Sequence, residues 1–197
     1  KIICVNVMAG EPVISETDEI KKILNGEYFT RQNVFNLVDY DYFGWLNNSP
    51  YVEQIVGSVA EMQRRLVAYD FSRLGENDIF GRLLAQLANR EHRLMLGQEF
   101  TPHWVAQDIV EYNMDLLDGN TPRIVDMCCG SGVFLIESIK AVRERYDIVP
   151  ERYSTEKDDI AFSCVMGFDI DPLAVMLAKV NWVMSMRDLF LVHHGDI

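Results

Sequence analysis

Apolar residues recur every three or four positions through Ile55, Val59, Met62 and Leu66, and again through Ile79, Phe80, Leu83, Leu84 and Leu87. That spacing buries one face of a helix, so residues 50 to 95 predict an antiparallel helical hairpin. Its first arm opens with Ser49 as N-cap and Pro50 at the first helical position. A short polar helix is predicted from Glu16 to Leu24. Ahead of it, the run from Lys1 to Met8, ended by Gly10 and Pro12, predicts a strand with no evident partner.

The pattern changes after residue 95. Thr101 as cap and Pro102 at the first position open a helix through Trp104, Val105, Ile109, Val110, Met114 and Leu117, ending before Gly119. Arg123-Ile124-Val125 then predicts a short strand, residues 126 to 132 a glycine turn, and Phe134, Leu135, Ile136, Ile139 and Val142 a helix. Glu144 to Asp159 is polar, carries Pro150 and predicts a surface insertion. A second strand is predicted at Cys164 to Phe168, a helix from Pro172 through Val175, Leu177, Val180 and Val183, and a third strand at Phe190 to His193. Strand, helix, strand, helix, strand describes one parallel nucleotide-binding half with right-handed crossovers. The expected class is α/β, with a mainly helical region at 1-95 preceding a cofactor-binding part at 96-197.

Composition narrows the setting. The 197 residues are 49% hydrophobic and hold no apolar run long enough to span a bilayer, which predicts a cytoplasmic protein without membrane partners. The four cysteines, Cys4, Cys128, Cys129 and Cys164, have neither disulfide-framework nor zinc-site spacing, and no metal site is expected. The formal charge of −12 is spread over both halves, so neither offers the basic face that grips several phosphates. The chain begins at Lys1, which suggests a piece of a longer protein.

The candidate chemistry centres on Asp126-Met127-Cys128-Cys129-Gly130-Ser131-Gly132-Val133-Phe134. Glycines at 130 and 132 allow positive φ and close approach of a ligand to the main chain. A dinucleotide loop offers bare N–H groups to a pyrophosphate, and Asp126 would repel that anion. S-adenosylmethionine, with its cationic amino group and sulfonium, suits an acidic loop. Gly-x-Gly alone also fits a strand-turn-helix junction with no ligand. Two further acids, Asp169 and Asp196, follow the second and third predicted strands. The first suits a pair of ribose hydroxyls, and the second an adenine amino group. Elsewhere the structural readings prevail: Glu19-Ile20-Lys21 lies in a helical pattern without a partner aspartate, and the aromatic segment from Tyr28 to Trp45 lacks interleaved basic residues.

Taken together, Gly97-Gln98-Glu99-Phe100-Thr101-Pro102, Asp126 to Phe134, Phe168-Asp169-Ile170-Asp171-Pro172 and Gly195-Asp196 resemble the adenine-N6 DNA methyltransferases of bacterial restriction-modification systems. The likeness is greatest to type I modification subunits and fused type IIG enzymes, and it covers roughly residues 50 to 197. It implies a Rossmann-like S-adenosylmethionine-dependent methyltransferase fold. By that resemblance, Phe100, Thr101 and Pro102 fold over the methionine part of the cofactor. Asp126, Cys128, Gly130, Gly132 and Phe134 form the loop beneath it, Asp169 and Ile170 hold the ribose and flank the adenine, and Asp196 accepts from the adenine amino group.

The chain departs from the family pattern in three places. Met127-Cys128 stands where Pro-Ala is common, and Asp171 where Asn is common. The catalytic tetrapeptide, Asn or Asp followed by Pro-Pro and an aromatic residue, does not occur; Asn48-Ser49-Pro50-Tyr51 has one proline and precedes the loop. No catalytic residue is therefore assigned, the fold is expected to be truncated after its third strand, and these 197 residues are expected to bind cofactor weakly without transferring methyl. DNA would be held mostly by regions outside this chain, with restriction or specificity subunits or fused domains as candidate partners. Two alternatives stand beside this reading: a methyltransferase acting on RNA or protein glutamine, and a non-catalytic cofactor-binding defence subunit.

Overall fold

The computed structural model describes residues 1–10, 17–38, 41, 44–69, 101–117, 121–152 and 154–193. The second arm of the expected hairpin, the segment 97–100 and Asp196 lie outside the described residues. The chain divides into two compact units, Lys1–Leu74 with Phe190–Ile197, and Gly75–Leu189. No helix among the described residues is long and apolar enough to cross a membrane.

The first unit contains helices α1 (Ile2–Ala9), α2 (Thr17–Leu24), α3 (Glu27–Arg31) and α4 (Tyr51–Leu66). The strand expected at Lys1 to Met8 is instead α1. A run this apolar carries no period, and a helix meets its backbone hydrogen bonds internally where no strand lies alongside. Apolar at every position but Asn6, α1 is buried along most of its length: Ile2, Cys4, Val5, Asn6, Val7 and Met8 are covered. Gly10, expected to end a strand, caps the helix with φ +72°, its N–H donating to the Val7 carbonyl. Helix α2 forms as expected, burying Ile20 and Ile23, with Asp18 and Glu19 in its first turn and Lys21 and Lys22 in its last, the order that suits the helix dipole. Val52, Val56, Val59 and Gln63 form the buried face of α4. Asn6 and Gln63 exchange two buried side-chain hydrogen bonds, at 3.0 and 2.7 Å.

The second unit contains α5 (His103–Asp115), β1 (Ile124–Asp126), α6 (Val133–Arg145), α7 (Thr155–Ser163), β2 (Val165–Gly167) and α8 (Pro172–Ser185). Strands β1 and β2 pair in parallel, with Ile124 opposite Val165 and Asp126 opposite Gly167. Helix α6 packs on this sheet, and Cys129, Leu135 and Ala178 form a buried cluster against Val165. Helices α5 and α8 both pack against α6. On the other face Val125 and Met166 remain 56% and 57% exposed.

The third expected strand is instead a helix, α9 (Arg187–His193). Leu189 and Phe190 are both buried and Val192 is exposed, a helical rather than alternating sequence of burial. The Asp188 carboxylate, in the first turn of α9, receives both Nη groups of Arg143 from α6. Among the described residues the α/β expectation is thus met by a mostly helical chain with one two-stranded parallel sheet.

Smaller expectations also shift. Pro50 and Pro102 stand at the cap positions of α4 and α5, one place earlier than expected, and neither Ser49 nor Thr101 supplies a side-chain cap. Pro102 is extended, and its carbonyl accepts from the N–H groups of Val105 and Ala106. The polar stretch 144–159 is not a featureless insertion. It buries Ile148, makes a 3-10 turn at Pro150–Arg152 and enters α7.

Candidate cofactor site at the glycine turn

Strand β1 delivers Asp126 to the end of the sheet, where the chain turns back into α6. The Asp126 carboxylate accepts from the Cys128 N–H at 3.0 Å, closing an Asx turn. The main chain stays laced to β2: Phe168 N–H donates to the Asp126 carbonyl, and Cys129 N–H to the Phe168 carbonyl, both at 2.8 Å. Gly130 (φ +54°) and Gly132 (φ +92°) both take positive φ. A Cβ on Gly130 would meet nothing within 4 Å, whereas one on Gly132 would lie 3.2 Å from the Ala178 Cβ. One glycine therefore leaves an open side, and the other permits close packing of the turn against α8.

Asp169, just past β2, is bonded into this turn. Its Oδ2 accepts from the Gly130 N–H at 2.8 Å and its Oδ1 from the Asp171 N–H at 2.9 Å. Asp171 in turn caps α8, accepting from Leu173 N–H at 2.9 Å with Pro172 at the first helical position. The residue that reads in sequence as a departure from the family pattern is thus a sound N-cap. Ile170, between the two acids, is fully exposed at 101%. Among its implied neighbours, Phe134 is half-buried in the first turn of α6, Thr101 is half-buried, Pro102 is exposed, and Cys128 is exposed.

Cys129 beneath the turn is buried, and burial first, then the Asp169 and Asp126 carboxylates, push its thiol up to about 11. It is a neutral apolar spacer at ordinary pH, not a nucleophile. Burial likewise raises Cys164 to about 11.

Two residues passed over in the sequence support the turn. Asn181, buried in α8, donates to the Ser131 carbonyl at 2.9 Å. Glu137, buried in the second turn of α6, has His103 Nε2 2.7 Å from its Oε1 and accepts from Lys140 at 2.9 Å. The only signal for either was a polar residue inside an apolar helical stretch, Val180-Asn181-Trp182 and Ile136-Glu137-Ser138. A cleft of about 580 Å³ opens beside the turn, lined by Ile109 and Met114 of α5, by residues 123 to 127, and by Phe134 and Ser138 of α6. The Ser138 hydroxyl is buried there with no hydrogen-bond partner among the described residues.

The structure therefore brings Asp126, Cys128, Gly130, Gly132 and Asp169 into one bonded constellation. Thr101 and Pro102 are tied to it only indirectly, through His103 and Glu137. A model of the N-6 DNA methylase family matches residues 74–196, which include the turn, both strands and all three predicted acids. The chain belongs to the N-6 DNA methylase family. Methylation of adenine N6 in DNA is the activity that membership carries. No curated protein and no solved structure matches the chain. Among the described residues no group of three or more His, Cys, Asp or Glu is placed to hold a metal ion.

Proposed function

We propose that this N-6 DNA methylase chain supplies the S-adenosylmethionine site of an adenine-specific DNA methyltransferase of a restriction-modification system, of the type I modification-subunit or type IIG kind. The observation that carries the cofactor assignment is the state of the backbone donors in the turn. A phosphate-binding loop needs free N–H groups. Here the Gly130 N–H is taken by Asp169 and the Cys128 N–H by Asp126. What the turn offers a ligand is two carboxylates and the open side of Gly130, an environment that favours positive charge and sugar hydroxyls over pyrophosphate.

A carboxylate has room for about four hydrogen bonds. Asp169 is seen to use two of its acceptor sites and keeps capacity for ribose hydroxyls, while exposed Ile170 offers an apolar surface to an adenine ring. Phe100, Thr101, Pro102, Cys128, Phe134 and Asp196 complete the proposed cofactor contacts, within a Rossmann-like methyltransferase fold. The cofactor's sulfonium supplies the methyl group. The chain's residues bind and orient it, and the catalytic tetrapeptide that would receive the target adenine is not found in this sequence. With a charge of −12, DNA contact falls mainly to regions outside residues 1–197, with restriction or specificity subunits or fused domains as partners.

Calorimetric titration distinguishes the cofactor classes. The chain should take up S-adenosylmethionine and not NAD, and Asp169→Ala should weaken the former about tenfold or more. Preference for NAD, or undiminished affinity in the variant, would defeat the assignment.

A further inference from the structure

Glu137 is a carboxylate with only 4% of its side chain exposed, in a helix otherwise buried through Leu135, Ile136, Ser138 and Ile139. A buried charge is retained only when it is paired, and two nitrogens from different parts of the unit converge on one of its oxygens. His103 Nε2 lies 2.7 Å from Oε1 and Lys140 Nζ 2.9 Å from it, with Nε2 and Nζ themselves 3.2 Å apart. Lys140 sits one turn along the same helix. His103 is the first residue of α5, directly after Thr101-Pro102.

The location of this cluster gives it a consequence beyond packing. Helix α6 springs from Gly132, so the position of Glu137 is set rigidly by the glycine turn. The Pro102 carbonyl is the first acceptor of α5, so the position of Pro102 is set by where α5 begins. At the other end of α5, Arg145 of α6 donates to the Met114 carbonyl at 2.5 Å and to the Leu117 carbonyl at 2.7 Å. Side chains of α6 therefore hold both ends of α5. Only the His103 end adjoins the segment assigned to the cofactor.

We propose that Glu137 is a positioning residue, which through His103 holds the Thr101-Pro102 segment at a fixed place relative to the glycine turn and so preorganises the cofactor site. The inference rests on the S-adenosylmethionine reading above. Its energetic content is preorganisation: a segment ordered before the ligand arrives spares the ligand the cost of ordering it.

The test uses the whole chain with three single variants at these two positions, His103→Ala, His103→Gln and Glu137→Leu, and the double variant of His103→Ala with Glu137→Leu. His103 is partly exposed, so its replacement does not open a cavity in the core. S-adenosylmethionine affinity is measured well below the melting temperature of each variant, together with amide hydrogen exchange over residues 101–106. His103→Ala should raise Kd about tenfold and speed exchange at that segment. His103→Gln, whose amide can still donate to the carboxylate, should recover most of the affinity. The Glu137→Leu and His103→Ala effects should not add in the double variant, because leucine has no acceptor and both changes remove the same link. Unchanged Kd in His103→Ala, no recovery in His103→Gln, or additive effects would overturn the inference. If the unmodified chain binds no S-adenosylmethionine, the cofactor reading itself falls, an outcome separate from binding that the variants leave untouched.

Discussion

Substituting alanine for each of the two glycines in the turn should produce unequal losses, and the structure sets their order. Gly130 has φ +54°, inside the left-handed region that residues with a side chain occupy at a cost of about 1 kcal/mol. A methyl group there meets nothing within 4 Å, so Gly130→Ala should cost about 1 kcal/mol and no more. Gly132 has φ +92°, beyond that region, with a conformational cost of about 1 to 3 kcal/mol for any other residue. Its added methyl would also lie 3.2 Å from the Ala178 Cβ and 3.3 Å from the Ala178 Cα. Backbone of α8 cannot swing aside as a side-chain tip can, so overpacking adds about 1 kcal/mol. Gly132→Ala should therefore lose about 3 kcal/mol. Urea unfolding followed by circular dichroism measures both. The affinities should be ordered the other way relative to stability: Gly130→Ala, nearly harmless to folding, places its methyl on the side left open to a ligand and should weaken S-adenosylmethionine binding out of proportion to its stability loss. A Gly130→Ala variant as destabilised as Gly132→Ala would refute the packing argument.

Three further outcomes test other parts of the molecule. Gln63→Leu removes one half of the reciprocal amide pair and should cost about 2 kcal/mol by taking both Gln63 hydrogen bonds from Asn6, while the additional change Asn6→Leu should cost much less than a second such loss; thermal melting of the single and double variants decides it. Of the four cysteines, exposed Cys128 should react rapidly with a thiol reagent at pH 8, and Cys4, Cys129 and Cys164 only on unfolding, as counted by mass spectrometry. The same thiols give a sign to the pH dependence. Cys129 and Cys164 release their protons near 9.0 in the unfolded chain but at about 11 when folded, so their contribution is intact below pH 9 and stability falls as pH rises through 9 to 11. Stability that rose across that interval would contradict their burial.

Much of the site was determined by the sequence alone, because its parts are local. A strand running into two glycines, an acid at its end, a proline opening the helix after the next strand: each is a relation between residues close in the chain, governed by backbone sterics and capping, and β1, the turn, α6, β2 and α8 formed where those relations put them. Short apolar runs were a different matter. Lys1 to Met8 and Phe190 to His193 have too few polar positions to mark a period, so only their surroundings could choose between helix and strand, and both became helices. The bonds that turn the motif into a site were likewise decided by tertiary structure. Asp169 reaches Gly130, Asn181 reaches Ser131 and Glu137 reaches His103 across intervals of 39, 50 and 34 residues. No local propensity encodes such pairings; they exist because packing of α5 and α8 against α6 brings residues far apart in the chain within hydrogen-bond reach.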